Sequence, residues 1–425
     1  MKRSITNGRI IDPANDIDAV QDLFIADGEI IAVGSAPAGF TADDTIDASG
    51  QIVCPGLVDL RAHLREPGQE HKGTIASETR AAARGGITTL CCPPDTDPIV
   101  DTPAVAELIQ RHADATGYAR VVPLGALTQG LNGSAITEMH ALKMAGCVGV
   151  SNAMRAVSNT LVLRRAMEYA ATHGLTVFIH AEDCGLADNG CVHEGAVGSR
   201  LGLPGIPTAA ETVAVASTLA LVEETGARVH FSMLSSKQGL QKISRAKFDG
   251  LPVSCDVTAH HLHLTEIDLL GFNSQCHVRP PLRTQRDMEG LRKGIADGVV
   301  AAICSDHQPH EADAKLAPFG ATEPGTSALE TLLPLALRLV DDGNISMTRM
   351  ISNLTHQPAA ILGVEAGTLS IGQRADICIF DPERYWALDS HSMLSHGHNT
   401  PFLNWEMKGE VMRTLLGGKT VYESE

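Results

Sequence analysis

Between residues 55 and 310 the chain alternates eight short apolar runs with segments of helical periodicity, and that alternation constrains the fold more than any other feature. The runs are Leu57–Leu64, Ile87–Cys92, Arg120–Leu127, Cys147–Ser151, Leu175–His180, Arg228–Leu234, Pro252–Thr258 and Val299–Asp306. The intervening segments have recognisable ends. Thr102-Pro103 opens a helix with a capping hydroxyl and a proline in the first turn, and Gly117 follows its end. Thr160–His173 stops at Gly174, and Ala209–Thr225 closes at Gly226. Strands buried on both faces and joined by helices form a parallel sheet, and eight such units predict a closed α/β barrel, a (β/α)8 fold of the TIM type.

The ends of the chain read differently. Residues 1–54 and 365–425 hold short strands punctuated by turn signals such as Asn7-Gly8, Asp27-Gly28, Asp381-Pro382 and Gly417-Gly418. They predict one small β-sandwich domain built from both ends beside a barrel of residues 55–364. The chain has 425 residues, 44% of them hydrophobic, enough for a large core. Fifty acidic residues against 33 basic ones give a net charge of −17. That surface repels phosphate backbones and anionic lipid, which argues against nucleic-acid and membrane partners.

Met1 to Gly8 lack the apolar core of a signal peptide, and no run approaches 18 apolar residues. Ten cysteines without paired CxxC spacing do not make a disulfide scaffold. Cys184 and Cys191, which flank a loop, read as ordinary thiols. The expectation is a cytoplasmic protein with reduced cysteines, in which the Asn-x-Ser/Thr triplets at 132, 344 and 353 are chance matches.

In barrels of this kind chemistry sits at the C-terminal ends of the strands. The first run ends Arg61-Ala62-His63-Leu64-Arg65, and strand alternation predicts that Arg61, His63 and Arg65 point the same way. The fifth ends in His180, the seventh leads into His260-His261, and the eighth ends Asp306-His307 with His310 beyond. Two imidazoles and a carboxylate on one rim are ligand types that suit zinc. The plainer alternative is a set of hydrogen-bonded histidines in a polar pocket.

These segments resemble the type I dihydroorotases of the amidohydrolase superfamily. The likeness runs through Gly56-Leu57-Val58-Asp59, His63-Leu64-Arg65-Glu66-Pro67-Gly68, Pro94-Asp95-Thr96-Asp97-Pro98 and His180-Ala181-Glu182-Asp183. It continues through His260-His261-Leu262, Pro280-Pro281-Leu282-Arg283, Asp306-His307-Gln308-Pro309-His310 and Gly372-Gln373-Arg374-Ala375-Asp376-Ile377. The resemblance implies reversible hydrolysis of dihydroorotate to carbamoyl aspartate in pyrimidine synthesis. In that family one or two zinc ions activate water and an aspartate, here Asp306, moves the proton. His63, His180 and Asp306 match metal ligands. Arg65, Asp95, Arg279 and His310 stand where the family grips substrate.

The match then breaks where the metals belong. Arg61 stands at the first histidine of the family's His-x-His, Asn152 at the strand-4 aspartate, and Met233 at a strand-6 histidine. Lys143 lies in the preceding helix, so no strand lysine substitutes for the bridge. A guanidinium repels a dication by several kcal/mol at an effective dielectric of about 20, whereas it can pair with Asp306. Asp95 and Arg279 replace the asparagines of the family pattern.

The resemblance therefore implies a degenerate, non-catalytic dihydroorotase-like subunit, which in bacteria assembles with aspartate carbamoyltransferase as an oligomer. Cys91-Cys92-Pro93-Pro94 and residues 314–325 also resemble that class, and residues 307–325 read as a rim loop available to a partner. The alternative is an active dihydroorotase with a single zinc on His63, His180 and Asp306. A cyclic amidase for another ring, such as a hydantoin, fits least because it needs the missing lysine and His-x-His pair.

Overall fold

A computed structural model describes residues 1–424. Eight parallel strands lie in chain order around one sheet: β1 (Leu57–Asp59), β2 (Ile87–Cys92), β3 (Arg120–Ala126), β4 (Gly149–Ser151), β5 (Thr176–His180), β6 (Val229–Ser232), β7 (Val253–Thr258) and β8 (Ala302–Cys304). The sheet closes between its first and last members without a full ladder. Ala62 bridges His307 in parallel, the His63 N–H donates to the His307 carbonyl at 2.8 Å, and the His307 N–H donates to the Arg61 carbonyl at 3.2 Å. The Asp59 carboxylate completes the seam by accepting the Ser305 N–H at 2.8 Å and its hydroxyl at 2.5 Å.

Several strands are shorter than the sequence suggests. The first run reaches Leu64 in apolar pattern, yet the ladder stops at Asp59, because residues 60–65 are where the chain leaves the sheet to form the mouth. Helix ends fall close to their signals. Pro103–Thr116 follows Thr102 and ends at Gly117 in the left-handed region, although the Thr102 hydroxyl makes no capping bond. Thr160–Thr172 is capped by Asn159, whose side chain accepts from Leu161 and Val162. Thr208–Thr225 ends at Gly226 with φ 65°.

The two chain ends meet as expected. Strand Ile52–Pro55 pairs antiparallel with Ile377–Ala387 in a six-stranded sheet, and a four-stranded sheet of N-terminal strands packs against it. Ile5, Leu23, Ile25, Ile30, Val53, Ile377 and Leu415 fill the space between them. Gly86, at φ +78°, lets helix Ile75–Arg84 turn into β2. A Cβ there would lie 2.5 Å from the Cys378 sulfur of the sandwich, so glycine is required where barrel and sandwich touch. All ten cysteines are free thiols, Cys184 exposed and Cys191 half-buried. No helix of the described residues is long and apolar enough to cross a membrane.

Candidate functional site

The stretch after β1 and the stretch after β8 run side by side at the mouth, which places Arg61 against Asp306. Arg61 Nε donates to Asp306 Oδ1 at 2.9 Å, with side chains only 6% and 2% exposed. Gln308 Nε2 donates to both Asp306 oxygens at 3.1 Å. Burial pushes the Asp306 carboxyl up from its usual range against the pull of Arg61. Asp306 holds a left-handed φ of 47°, a conformation unusual for a residue with a side chain. Arg61 Nη2 is buried with no partner.

His63 does not face an open site. Its Nε2 lies 3.1 Å from Asp95 Oδ2 and its Nδ1 is 3.3 Å from the His307 carbonyl, so oxygens occupy both ring nitrogens. Burial works against the Asp95 charge, but His63 and Arg61 outweigh it and hold the carboxyl well below the ordinary range. The alternation expected along residues 61–65 fails at its end. Arg65 adopts φ 65°, and its guanidinium reaches the Pro309 carbonyl at 3.0 Å, Gln69 Oε1 at 3.2 Å and His310 Nε2 at 3.2 Å. Burial first, then Arg65, lowers the His310 pKa to about 2, so this imidazole is neutral.

Across the mouth, Arg279 grips Glu182 through both Nε and Nη2. His180 stands 3.8 Å from Glu182, too far for a hydrogen bond, and both of its ring nitrogens are buried without a partner. His260 is likewise unpartnered, whereas His261 meets the Thr258 hydroxyl at 2.7 Å and the Pro281 carbonyl at 3.3 Å.

Asn152 is spent on structure. It accepts from the Thr128 hydroxyl at 2.7 Å and donates to the carbonyls of Leu131 and Arg155. Met233 packs among Val58, Cys91, Leu124, Phe178 and Cys304 inside the barrel, and only its backbone N–H touches a polar group, Asp256. Lys143 sits on helix Met139–Met144 and donates to the His173 carbonyl, outside the barrel.

The space beside His63 and Asp95 is small. The cavity bordered by His63, Arg65, Gln69, Cys92 and Asp95 holds about 10 Å³, room for roughly one water. A larger cavity of about 310 Å³ lies to the side, between the ends of β4 and β5, lined by Asn152, Ala153, Arg155, His180 and Glu182. No group of three or more His, Cys, Asp or Glu side chains among the described residues is arranged to hold a metal ion. The residues present do not fit the zinc that the fold family implies. Of the three matching ligand types, Asp306 is claimed by a cation and His63 by Asp95, so only His180 keeps its nitrogens free, while a guanidinium, an amide and a thioether stand at the other ligand positions.

Three residues that matter here carry no site signal of their own in the sequence. Gln308 and Glu182 lie in segments that resemble the family, but spacing alone does not give them the partners Asp306 and Arg279. Asp59 at the seam is the third, its pKa raised to about 7 by burial.

This barrel with its chain-end sandwich has close counterparts in fold among solved structures. L-hydantoinase (dihydropyrimidinase) from Arthrobacter aurescens superposes with a TM-score of 0.89 over 99% of this chain and 96% of its own, at 24% identity. A D-hydantoinase gives a TM-score of 0.85 over 100% and 96% at 24% identity; at this identity the likeness is one of fold. In sequence, residues 50–239 match the family described as dihydro-orotase-like. A "Dihydroorotase-like protein" of Pseudomonas aeruginosa is 51% identical over the full length of both chains, and one of Pseudomonas putida 50%. A "Dihydroorotase" of Geobacter sp. strain M21 is 41% identical, again over both full lengths. The chain belongs to the dihydroorotase-like family.

Proposed function

We propose that this chain is a catalytically degenerate dihydroorotase homologue of de novo pyrimidine biosynthesis, acting as a structural partner of aspartate carbamoyltransferase. The observation that carries the reading is the buried Arg61–Asp306 pair. Opening a cyclic amide needs a polarised carbonyl and an activated water, and a metal ion supplies both. A guanidinium already bonded to the carboxylate that would move the proton supplies neither. The pocket on the His63 and Asp95 side of the mouth holds about 10 Å³, room for roughly one water.

What remains is a well-packed barrel with partner-accessible rims. The segments after β7 and β8 are tied by a 2.8 Å bond from the Ser274 hydroxyl to the Lys315 carbonyl, and around it Ile267, Leu270, Phe272 and Leu316 are exposed. Such apolar patches mark protein contacts. Relatives at 50–51% identity carry the name "Dihydroorotase-like protein".

A second reading, an active dihydroorotase with one zinc, is favoured by the free nitrogens of His180 and by relatives at 41–43% identity named "Dihydroorotase". Zinc content separates the two. The protein is expressed with added zinc, purified without chelator, and measured by elemental mass spectrometry beside the Arg61→His, Asn152→Asp, Met233→His triple variant. The first reading expects near-zero zinc, no dihydroorotate hydrolysis, partial zinc uptake by the triple variant, and co-purification with aspartate carbamoyltransferase from the same source. One zinc per chain with hydrolysis of dihydroorotate sinks it, and failure to associate removes its partner half.

A further inference from the structure

The helices that follow β5, β6 and β7 begin side by side: Thr208–Thr225, Lys237–Phe248 and Gln285–Ala296. Their first turns border a hollow of about 280 Å³, on whose wall stand Thr208, Lys237, Thr284 and Arg286. At about 30 Å³ per water that is room for roughly nine waters. A helix start leaves N–H groups without helical partners and carries the positive end of the dipole, so three starts on one hollow favour an anion.

Two of the three are already served by one. Asp287 Oδ1 accepts the Lys237 N–H at 3.0 Å, and Oδ2 accepts the Thr284 N–H at 3.3 Å and its hydroxyl at 2.6 Å. The third start is open. Pro207 brings no capping side chain to helix Thr208–Thr225. The carboxylate of its first turn, Glu211, is taken by the N–H groups and hydroxyls of Ser235 and Ser236 instead.

Side chains supply what helix starts alone do not. His193, only 7% exposed, borders the same hollow. Arg283 Nη1 donates to its Nδ1 at 3.1 Å, which puts the ring proton on Nε2. Burial, then Arg283, lowers the His193 pKa and keeps the ring neutral. Nε2 is thus a donor without a partner among the described residues. Lys237 and Arg286 are uncommitted as well. Further along the helix of Arg286, Arg292 takes Asp342 and Lys293 takes Asp297, whereas Arg286 and Lys237 have no ion-pair partner among the described residues. The chain's net charge of −17 turns away a polyanion and leaves a small anion as the fit.

We propose that this hollow binds a phosphoryl group, free or carried by a small organic ester. A guanidinium, an ammonium and an imidazole N–H from three separate segments suit the several oxygens of a tetrahedral anion, whereas a carboxylate presents two oxygens in one plane. Thr208, Gln238 and Gln241 border both the hollow and a groove of about 850 Å³ between helices Thr208–Thr225 and Lys237–Phe248. Polar amides therefore lead from the hollow to space for the body of an ester. The inference does not depend on whether the barrel mouth is active.

Isothermal titration calorimetry on the full chain tests it with inorganic phosphate, glycerol 3-phosphate and glycerol, at constant ionic strength set with chloride. One phosphate or one ester should bind per chain, and glycerol should not bind. Lys237→Gln with Arg286→Gln should weaken binding about 30-fold, the loss of two charge-assisted bonds. The urea midpoint should stay put, because Arg286 is exposed and Lys237 half-buried. Lys293→Gln, which removes a charge further along the helix, should leave binding unchanged. Tighter binding of the ester than of phosphate supports the proposal with the ester's body in the groove; equal or weaker binding supports it with free phosphate as the ligand. No binding of either, several sites per chain, or a loss matched by Lys293→Gln means an adventitious ion only and overturns it.

Discussion

Two buried charge clusters sit a few residues apart at the top of the barrel, and they differ in how completely they are satisfied. Around Glu78 every polar atom has work. Its Oε2 accepts from His307 Nε2 at 2.8 Å and from the Ser395 hydroxyl at 2.7 Å, and its Oε1 accepts from the Ser77 hydroxyl and the His396 N–H. The Ala328 N–H donates to His307 Nδ1 at 3.0 Å, which fixes the ring with its proton on Nε2. At the mouth, by contrast, Arg61 Nη2, Asp95 Oδ1, His310 Nδ1 and both nitrogens of His180 and of His260 are buried without partners. Native interiors leave few polar atoms unpaired. The first cluster is a structural joint; the second is a set of groups paired with one another incompletely.

The contrast breaks most visibly at Glu78. Glu78→Ala strands His307, Ser395 and the His396 N–H at once, and the expected cost is about 3–5 kcal/mol. Urea unfolding should show it as a lower midpoint. A loss under 1 kcal/mol would mean that the joint holds nothing together.

Arg61 should behave differently from Glu78. Arg61→Leu leaves Asp306 buried with only Gln308 as donor, for a cost of about 3 kcal/mol, because an unpaired buried carboxylate is expensive. Replacing the partner as well, in Arg61→Leu with Asp306→Asn, should return most of that, since a buried pair is worth little net against neutral groups of similar shape. If the double variant is as unstable as the single one, the mouth is a built ion-pair joint like the one at Glu78, and the distinction between the clusters falls.

The barrel was legible because its signal is repeated eight times, and the pairing of chain ends because both read as β-rich around a helical middle. Strand ends were less so. Apolar alternation continues through residues 60–65, but closure of the seam by Asp59, Ala62 and Ser305 takes those residues out of the ladder, and no local pattern encodes a seam. Arg61, Asn152 and Met233 stood out against the family pattern because a guanidinium, an amide and a thioether are poor company for a dication. What they do instead was legible only in part. The partner of Arg61 follows from charge, but the three bonds of Asn152 depend on the loop holding Thr128 and Leu131, which spacing does not place. The Arg65 turn was also hidden, since a positive φ at an arginine leaves no mark in the sequence.

Acid should sharpen the contrast with the smallest effect per residue. Burial lowers His261, His263 and His277, all in the segment after β7, to about 4 in the folded chain. An unfolded histidine takes its proton near 6.5. Between pH 6.5 and 4 the unfolded state therefore binds more protons, and stability is lost as pH falls through that window. Each contributes on the order of 1–3 kcal/mol by pH 4, less for the half-buried His263. Asp59 works the other way: held near 7 when folded against about 4 unfolded, it adds stability as pH falls from 7 to 4. Three histidines outweigh one aspartate, so urea midpoints should drop from pH 6.5 to 4.5. Asp59→Asn, which removes the opposing contribution, should steepen the drop. His263→Gln, which keeps a donor for the Leu335 carbonyl that His263 Nε2 meets at 2.7 Å, should make it shallower. A flat profile, or a drop unchanged in both variants, would mean that these imidazoles reach solvent.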